Sequence, residues 1–216
     1  MKSILVVGLG RFGRHVCQKL SDLNAEVMAV DTKESRVNAV LDYVDKAQIG
    51  NAASGKFIDS LGVSDFDVCF VCIGDDFQNS LEVTSLLKEK GAKWVVSRAA
   101  RDVHAKFLWR NGADDVIYPE KELAEWTAVQ YSSDIIRDFV KLDDNSAIVE
   151  VVIPSGWIGK TVKEVNVRER FNINLLAFKS GKNYDPSIGP DTVFESGKTL
   201  LVMGKQDDIF KCFKIK

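Results

Sequence analysis

Three glycines near the N-terminus, Gly8, Gly10 and Gly13, stand in the spacing G-x-G-x-x-G, and an acid, Asp31, closes the next apolar run. These residue types in this order suit a diphosphate. The first glycine permits a tight turn, the second lets the backbone approach the phosphates, and the third lets a helix pack closely on a strand. Arg11 adds a cation that can reach a terminal phosphate, although a plain helix-surface arginine is the alternative. Asp31 offers an acceptor to ribose hydroxyls. The chemistry expected here is nucleotide binding.

The elements needed to position these groups are legible in the apolar pattern. Residues 4–7 form a continuous apolar run that suits a buried parallel strand, and a helix follows through Val16, Leu20 and Leu23. The helix N-terminus presents free N–H groups and a partial positive charge. A second strand over 27–30 delivers Asp31. Further along, strands are expected over 45–49, 68–73, 94–97 and 116–118, with helices over 33–41, 77–90 and 102–109 and a short helix capped by Ser54. Gly91 marks the end of the 77–90 helix. This alternation predicts an α/β fold with a Rossmann-like, doubly wound parallel sheet. Ligands in such sheets sit at the carboxyl ends of the strands, so Gly8, Asp31, Asn51, Gly74 and Arg98 are expected to converge on one cleft.

Pro119 and Glu120 open a stretch whose apolar residues, Leu123, Trp126, Val129, Ile136 and Phe139 among them, spread widely around a helix expected over 120–140. Such a helix would touch two surfaces, as a dimer crossover or domain connector, or lie buried in its own domain. A polar break at 141–145 precedes strands over 147–153, 173–179 and 199–203. A short helix at 160–165, a turn at 180–183, a loop at 185–190 and a closing helix at 206–213 complete a smaller α+β domain. The expected organisation is an N-domain over 1–119, a connector over 120–140 and a C-terminal domain over 141–216.

Composition narrows the function. A 45% hydrophobic content supports packed cores, and a net charge of −2 gives no electrostatic case for nucleic acid or anionic membrane. No apolar run approaches the ~20 residues that span a bilayer, and the N-terminus enters a strand too soon for a signal peptide. A soluble, cytoplasmic protein is expected. Cys69 and Cys72 have C-x-x-C spacing, yet three residues apart on a strand they face opposite sides and read as small core residues. The two histidines, His15 and His104, read as surface or capping residues, and the second domain carries no catalytic cluster. A nucleotide site beside so little catalytic chemistry favours a sensor over an enzyme. The alternative from another class is a small NAD(P)-dependent oxidoreductase; a third is a scaffold holding a purely structural nucleotide.

The order of motifs resembles the RCK (KTN) family, cytosolic regulators of potassium transport, and is most similar to regulatory subunits of Ktr/Trk-type potassium uptake systems. The stretches that carry the resemblance are 7–13, 29–31, 49–52, 72–74, 112–114 and 118–120, with 159–161, 167–168, 171–173, 176–178 and 201–204 in the second domain. It implies a subunit that dimerises, assembles into an octameric ring and docks on the inner face of the cell membrane under an integral-membrane potassium-translocating partner. ATP and ADP are the implied ligands, with NAD(H) a further candidate. Phe12, Thr32, Ala52 and Ile73 join the glycines, Arg11, Asp31, Asn51, Gly74 and Arg98 as cofactor residues. Asn51 stands where the family often has an acid, as in Ktr-like members. The resemblance further implies a divalent cation or Na+ shared between Glu120 and the phosphates. In the second domain it implies a cyclic di-AMP site across a dimer, with Arg168 on phosphate, Asn174 on a base edge, and Ile173, Tyr184 and Pro190 against adenine.

Overall fold

The computed structural model describes residues 1–215 and divides into two compact units, Met1–Glu120 and Lys121–Lys216. In the first, β1 (Ser3–Val7), α1 (Arg11–Asp22), β2 (Glu26–Asp31), α2 (Glu34–Asn38), β3 (Lys46–Ile49) and α3 (Gly55–Ser60) make one half of the sheet and its cover. The other half comprises β4 (Val68–Val71), α4 (Phe77–Glu89), β5 (Val95–Arg98), α5 (Asp102–Arg110) and β6 (Asp115–Ile117). All six strands are parallel in the order β3-β2-β1-β4-β5-β6. Strand order reverses between β1 and β4, which leaves a crevice at their carboxyl ends.

The central strands are buried on both faces, which is why they read as unbroken apolar runs. Leu5, Val7, Cys69 and Val71 pack on one face with Ile58, Val83 and Leu87, while Ile4, Val6 and Cys72 pack on the other with Cys17 and Val37. Cys69 and Cys72 therefore face opposite cores. Burial pushes the Cys69 thiol up to about 12, in keeping with an inert packing residue. Ser54 stands at the start of α3, but its side chain makes no cap hydrogen bond.

The helix expected over 120–140 is corrected. α6 spans Pro119–Tyr131, and Ile136–Lys141 is a strand, β7. Ser132 Oγ donates to the Val129 carbonyl and Ser133 Oγ accepts from the Ile135 N–H, so hydroxyls compete with the helical ladder where the helix stops. Beyond that break Ile136 and Phe139 pair with Val151 and Val149 and enter the second core. The broad apolar spread was the sum of a helix and a strand.

The second unit is built on an antiparallel sheet, order β10-β9-β11-β8-β7, from β8 (Ser146–Val152), β9 (Asn174–Ser180), β10 (Asn183–Asp185) and β11 (Thr199–Lys205). Helices α7 (Val162–Val165), α8 (Val167–Phe171) and α9 (Gln206–Phe213) cover a core of Val149, Val151, Phe178, Phe194, Leu200, Val202 and Ile209. The pattern had not resolved α8, a short helix set between Asn166 and Asn172, both in left-handed conformation. A buried carboxylate, Glu150, accepts from Lys179 Nζ and Thr199 Oγ1, each at 2.6 Å.

His104 is buried, not at the surface. Its Nδ1 accepts the Ala100 N–H at 3.3 Å at the start of α5, and its ring meets Phe77 edge-on at 5.1 Å. Burial, then the charges of Arg101 and Arg98, hold its pKa below the usual 6.5. The folded chain keeps this imidazole neutral, whereas the unfolded chain protonates below that value. Its contribution is therefore full above about pH 6.5 and lost as pH falls toward the depressed folded value. Urea denaturation at about pH 7 and about pH 5.5 is expected to show a smaller acid loss of stability in His104→Gln than in the wild type.

Candidate nucleotide-binding cleft

The crevice at the strand reversal is a cavity of about 660 Å³. Gly8 leaves β1 with φ +94°, and its N–H donates to the Val30 carbonyl at 2.8 Å. A Cβ there would press on Ile73 and the Cys72 carbonyl carbon. Gly13 sits against the Gly8 carbonyl, so a Cβ would collide with backbone that cannot move aside. Gly10 differs. Nothing lies within 4 Å of its added Cβ, so clearance there serves the cleft and not the packing. Gly10 also caps α1 without a side-chain acceptor, and no acid occupies the first turn. The first turn of α1 thus has the features of an anion-binding helix N-terminus.

Asp31 is 6% exposed. Its Oδ2 accepts the Leu9 N–H at 2.7 Å and meets Arg36 Nη1 at 3.3 Å, while its Oδ1 accepts the Lys33 N–H at 2.9 Å. The acid expected to serve ribose thus also braces the glycine turn. Asn51 makes an Asx turn by accepting the Ala53 N–H at 3.0 Å. A Cβ at the preceding Gly50 would meet the far edge of the half-buried Phe57 ring, which would have to shift.

On the far wall Arg98 lies along Gly74, whose added Cβ would strike its guanidinium, and its Cζ stands 5.8 Å from the Phe12 ring centre. Arg98 Nη2 donates to Glu120 Oε1. Burial, the largest single influence on Glu120, raises its pKa. A hydrogen bond from its own backbone N–H, the Arg98 contact and the Arg11 charge outweigh this and hold the carboxyl below the usual range. Among the described residues no cluster of three His, Cys, Asp or Glu side chains is arranged to hold a metal ion.

The cofactor residues named from sequence all line this cleft except Gly13, which lies beneath the turn. Glu120 lines it too. Sequence reasoning missed Lys33, Arg36, Asp75, Asp76 and Asn79. Two cations within five residues of Asp31 were the available signal for the first pair. Asp76 was readable as the cap of α4, where its Oδ1 accepts the Asn79 N–H at 3.0 Å.

In the second unit, Arg168, Ile173, Asn174 and Pro190 line a groove of about 390 Å³ together with Asn166 and Ile188. Ile173 is fully buried and packs against Gly204. Tyr184 is not brought to this groove; it lies on β10, with Lys179 Nζ 5.0 Å from its ring centre.

Comparison with known proteins places the two units. The TrkA-N domain matches residues 4–119 and the TrkA-C domain residues 147–214. The chain belongs to the TrkA-N/TrkA-C family. It is 34% identical to the Ktr system potassium uptake protein C of Bacillus subtilis (strain 168) over 208 residues, 96% of this chain and 94% of that protein. It is 31% identical to the Ktr system potassium uptake protein A of Vibrio alginolyticus, with the same coverage. Among solved structures it resembles the GsuK channel bound to NAD, with a TM-score of 0.71 at 15% identity, covering 99% of this chain and 39% of that one. At that identity the likeness is one of fold. No helix among the described residues of this TrkA-N/TrkA-C chain is long and apolar enough to cross a membrane.

Two substitutions separate packing from binding. Gly13→Ala is expected to destabilise by about 3 kcal/mol, since backbone must shift. Gly74→Ala meets only the far end of Arg98 and should keep the melting temperature within about 3 °C while altering nucleotide affinity. Asp31→Ala, which strands two backbone N–H groups, should cost about 3 kcal/mol and Asp31→Asn less. Thermal and urea denaturation of the four purified variants check the stabilities, and calorimetric titration checks the affinity of Gly74→Ala.

Proposed function

We propose that this chain is the nucleotide-sensing regulatory subunit of a potassium uptake system, with ATP and ADP competing for the cleft of the TrkA-N unit. The observation that carries this reading is the cleft itself: an uncapped helix N-terminus behind a glycine turn, with Arg11 and Arg98 beyond it where a chain of phosphates would extend. Asp31 takes ribose, and Asn51 and Ala52 lie toward the base. The named relatives are potassium uptake proteins, which favours the regulator over an oxidoreductase. The partner is then an integral-membrane potassium-translocating subunit, and the chain acts on its cytoplasmic side as a dimer within a ring. NAD(H) is the second ligand to test, since a structure of the same fold was solved with NAD.

A second ligand, cyclic di-AMP, suits the groove beside α8. Arg168 supplies a cation, Asn174 an amide, and Ile188 and Pro190 apolar surface. A two-fold dimer would double each contact and match the ligand's own symmetry.

Calorimetric titration of nucleotide-stripped protein is expected to give micromolar or tighter binding of ATP and ADP. Arg11→Ala should weaken ATP about tenfold, as expected for loss of one charge-assisted phosphate contact. Absence of binding by ATP, ADP and NAD alike would remove the sensor reading. Titration of the full chain with cyclic di-AMP, with Arg168→Ala abolishing the heat, tests the groove.

A further inference from the structure

Arg98 and Glu120 hold each other across the mouth of the cleft, but they are held unequally. The Arg98 side chain is only 15% exposed. It is seated against Gly74 and faces the ring of Phe12, a residue of the helix turn where the phosphates are placed above. The Glu120 side chain is 60% exposed. It stands at the second position of α6, and Arg11 adds its charge from the glycine turn.

A carboxylate and a terminal phosphate ask the same of a guanidinium: two acceptor oxygens in the plane of its N–H groups. The Arg98 Nη2 group that donates to Glu120 Oε1 is then not available to a phosphate oxygen. Since Arg98 is the more buried of the two and Glu120 the more exposed, competition between them displaces the acid more readily than the cation.

We propose that Glu120 is an internal surrogate for a terminal phosphate, occupying Arg98 in the unliganded chain and thereby setting how many phosphates a nucleotide needs to bind well. A ligand with no anionic group at this point leaves the Arg98–Glu120 pair intact and gains nothing from Arg98. A ligand whose last phosphate reaches Arg98 takes it over and releases Glu120. This role is opposite in sign to that of a cation ligand, in which Glu120 would help the nucleotide to bind. The inference rests on the nucleotide reading of the cleft given above.

The test is calorimetry on the full-length, nucleotide-stripped protein in EDTA, with adenosine, ADP and ATP as probes, comparing the wild type with Glu120→Gln and Glu120→Ala. Removing the competitor should tighten ATP binding about three- to tenfold, the range of one charge-assisted contact partly exposed to water. ADP should gain less and adenosine nothing. Equal or weaker ATP binding by both variants overturns the proposal, as does an equal gain for adenosine, which would mark a general structural effect. Failure of the wild type to bind any nucleotide would remove the cleft reading and this inference with it. Binding by the wild type without the predicted gain would remove the inference alone.

Discussion

Asp31 is a charged group nearly excluded from water, and a carboxylate in that position persists only when its oxygens are met by donors. Leu9 N–H, Lys33 N–H and Arg36 meet them. These bonds join the end of β2 to the turn after β1, and the Gly8 N–H adds a second tie by donating to the Val30 carbonyl. The shape of the phosphate turn is thus set from the neighbouring strand and not from the turn alone. Gly13 completes the arrangement by letting α1 come down onto the Gly8 carbonyl. Every other contribution to the cleft assumes this geometry.

The charges around the cleft are balanced. Arg11, Lys33, Arg36 and Arg98 face Asp31, Asp75, Asp76 and Glu120, four of each sign. A polyphosphate is therefore not drawn in by a net positive basin. An anion entering the cleft would meet the uncapped backbone N–H groups at α1 and the Arg11 and Arg98 side chains. Asp31 and Asp76 are committed to backbone N–H groups. Glu120 accepts from its own backbone N–H and, in addition, from the Arg98 side chain.

The two units differ in how they make their sites. In the TrkA-N unit, parallel strands end together and the crevice between them exists before any ligand arrives. In the TrkA-C unit, the sheet is antiparallel and its groove lies beside the short helix α8, between two left-handed asparagines. The first is a cleft of about 660 Å³ and the second a groove of about 390 Å³.

Local sequence determined a good deal. Glycine spacing, buried strands without alternation and the strand-helix rhythm sufficed for the parallel sheet, its order of elements and the convergence of Gly8, Asp31, Asn51, Gly74 and Arg98, because backbone sterics and strand burial act over a few residues. The same pattern failed at 136–141, where apolar residues of a strand continued those of a helix and only pairing with β8 separated them. The resemblance grouped Tyr184 with Arg168 and Asn174, whereas in the folded chain it lies on β10 and does not line their groove. Which groups hold which was beyond the local pattern altogether. That Asp31 braces Leu9, that Arg98 is seated on Gly74 and that Glu120 closes on Arg98 join residues far apart in the chain. Such contacts depend on where separate strands end in space, and tertiary packing alone decides that.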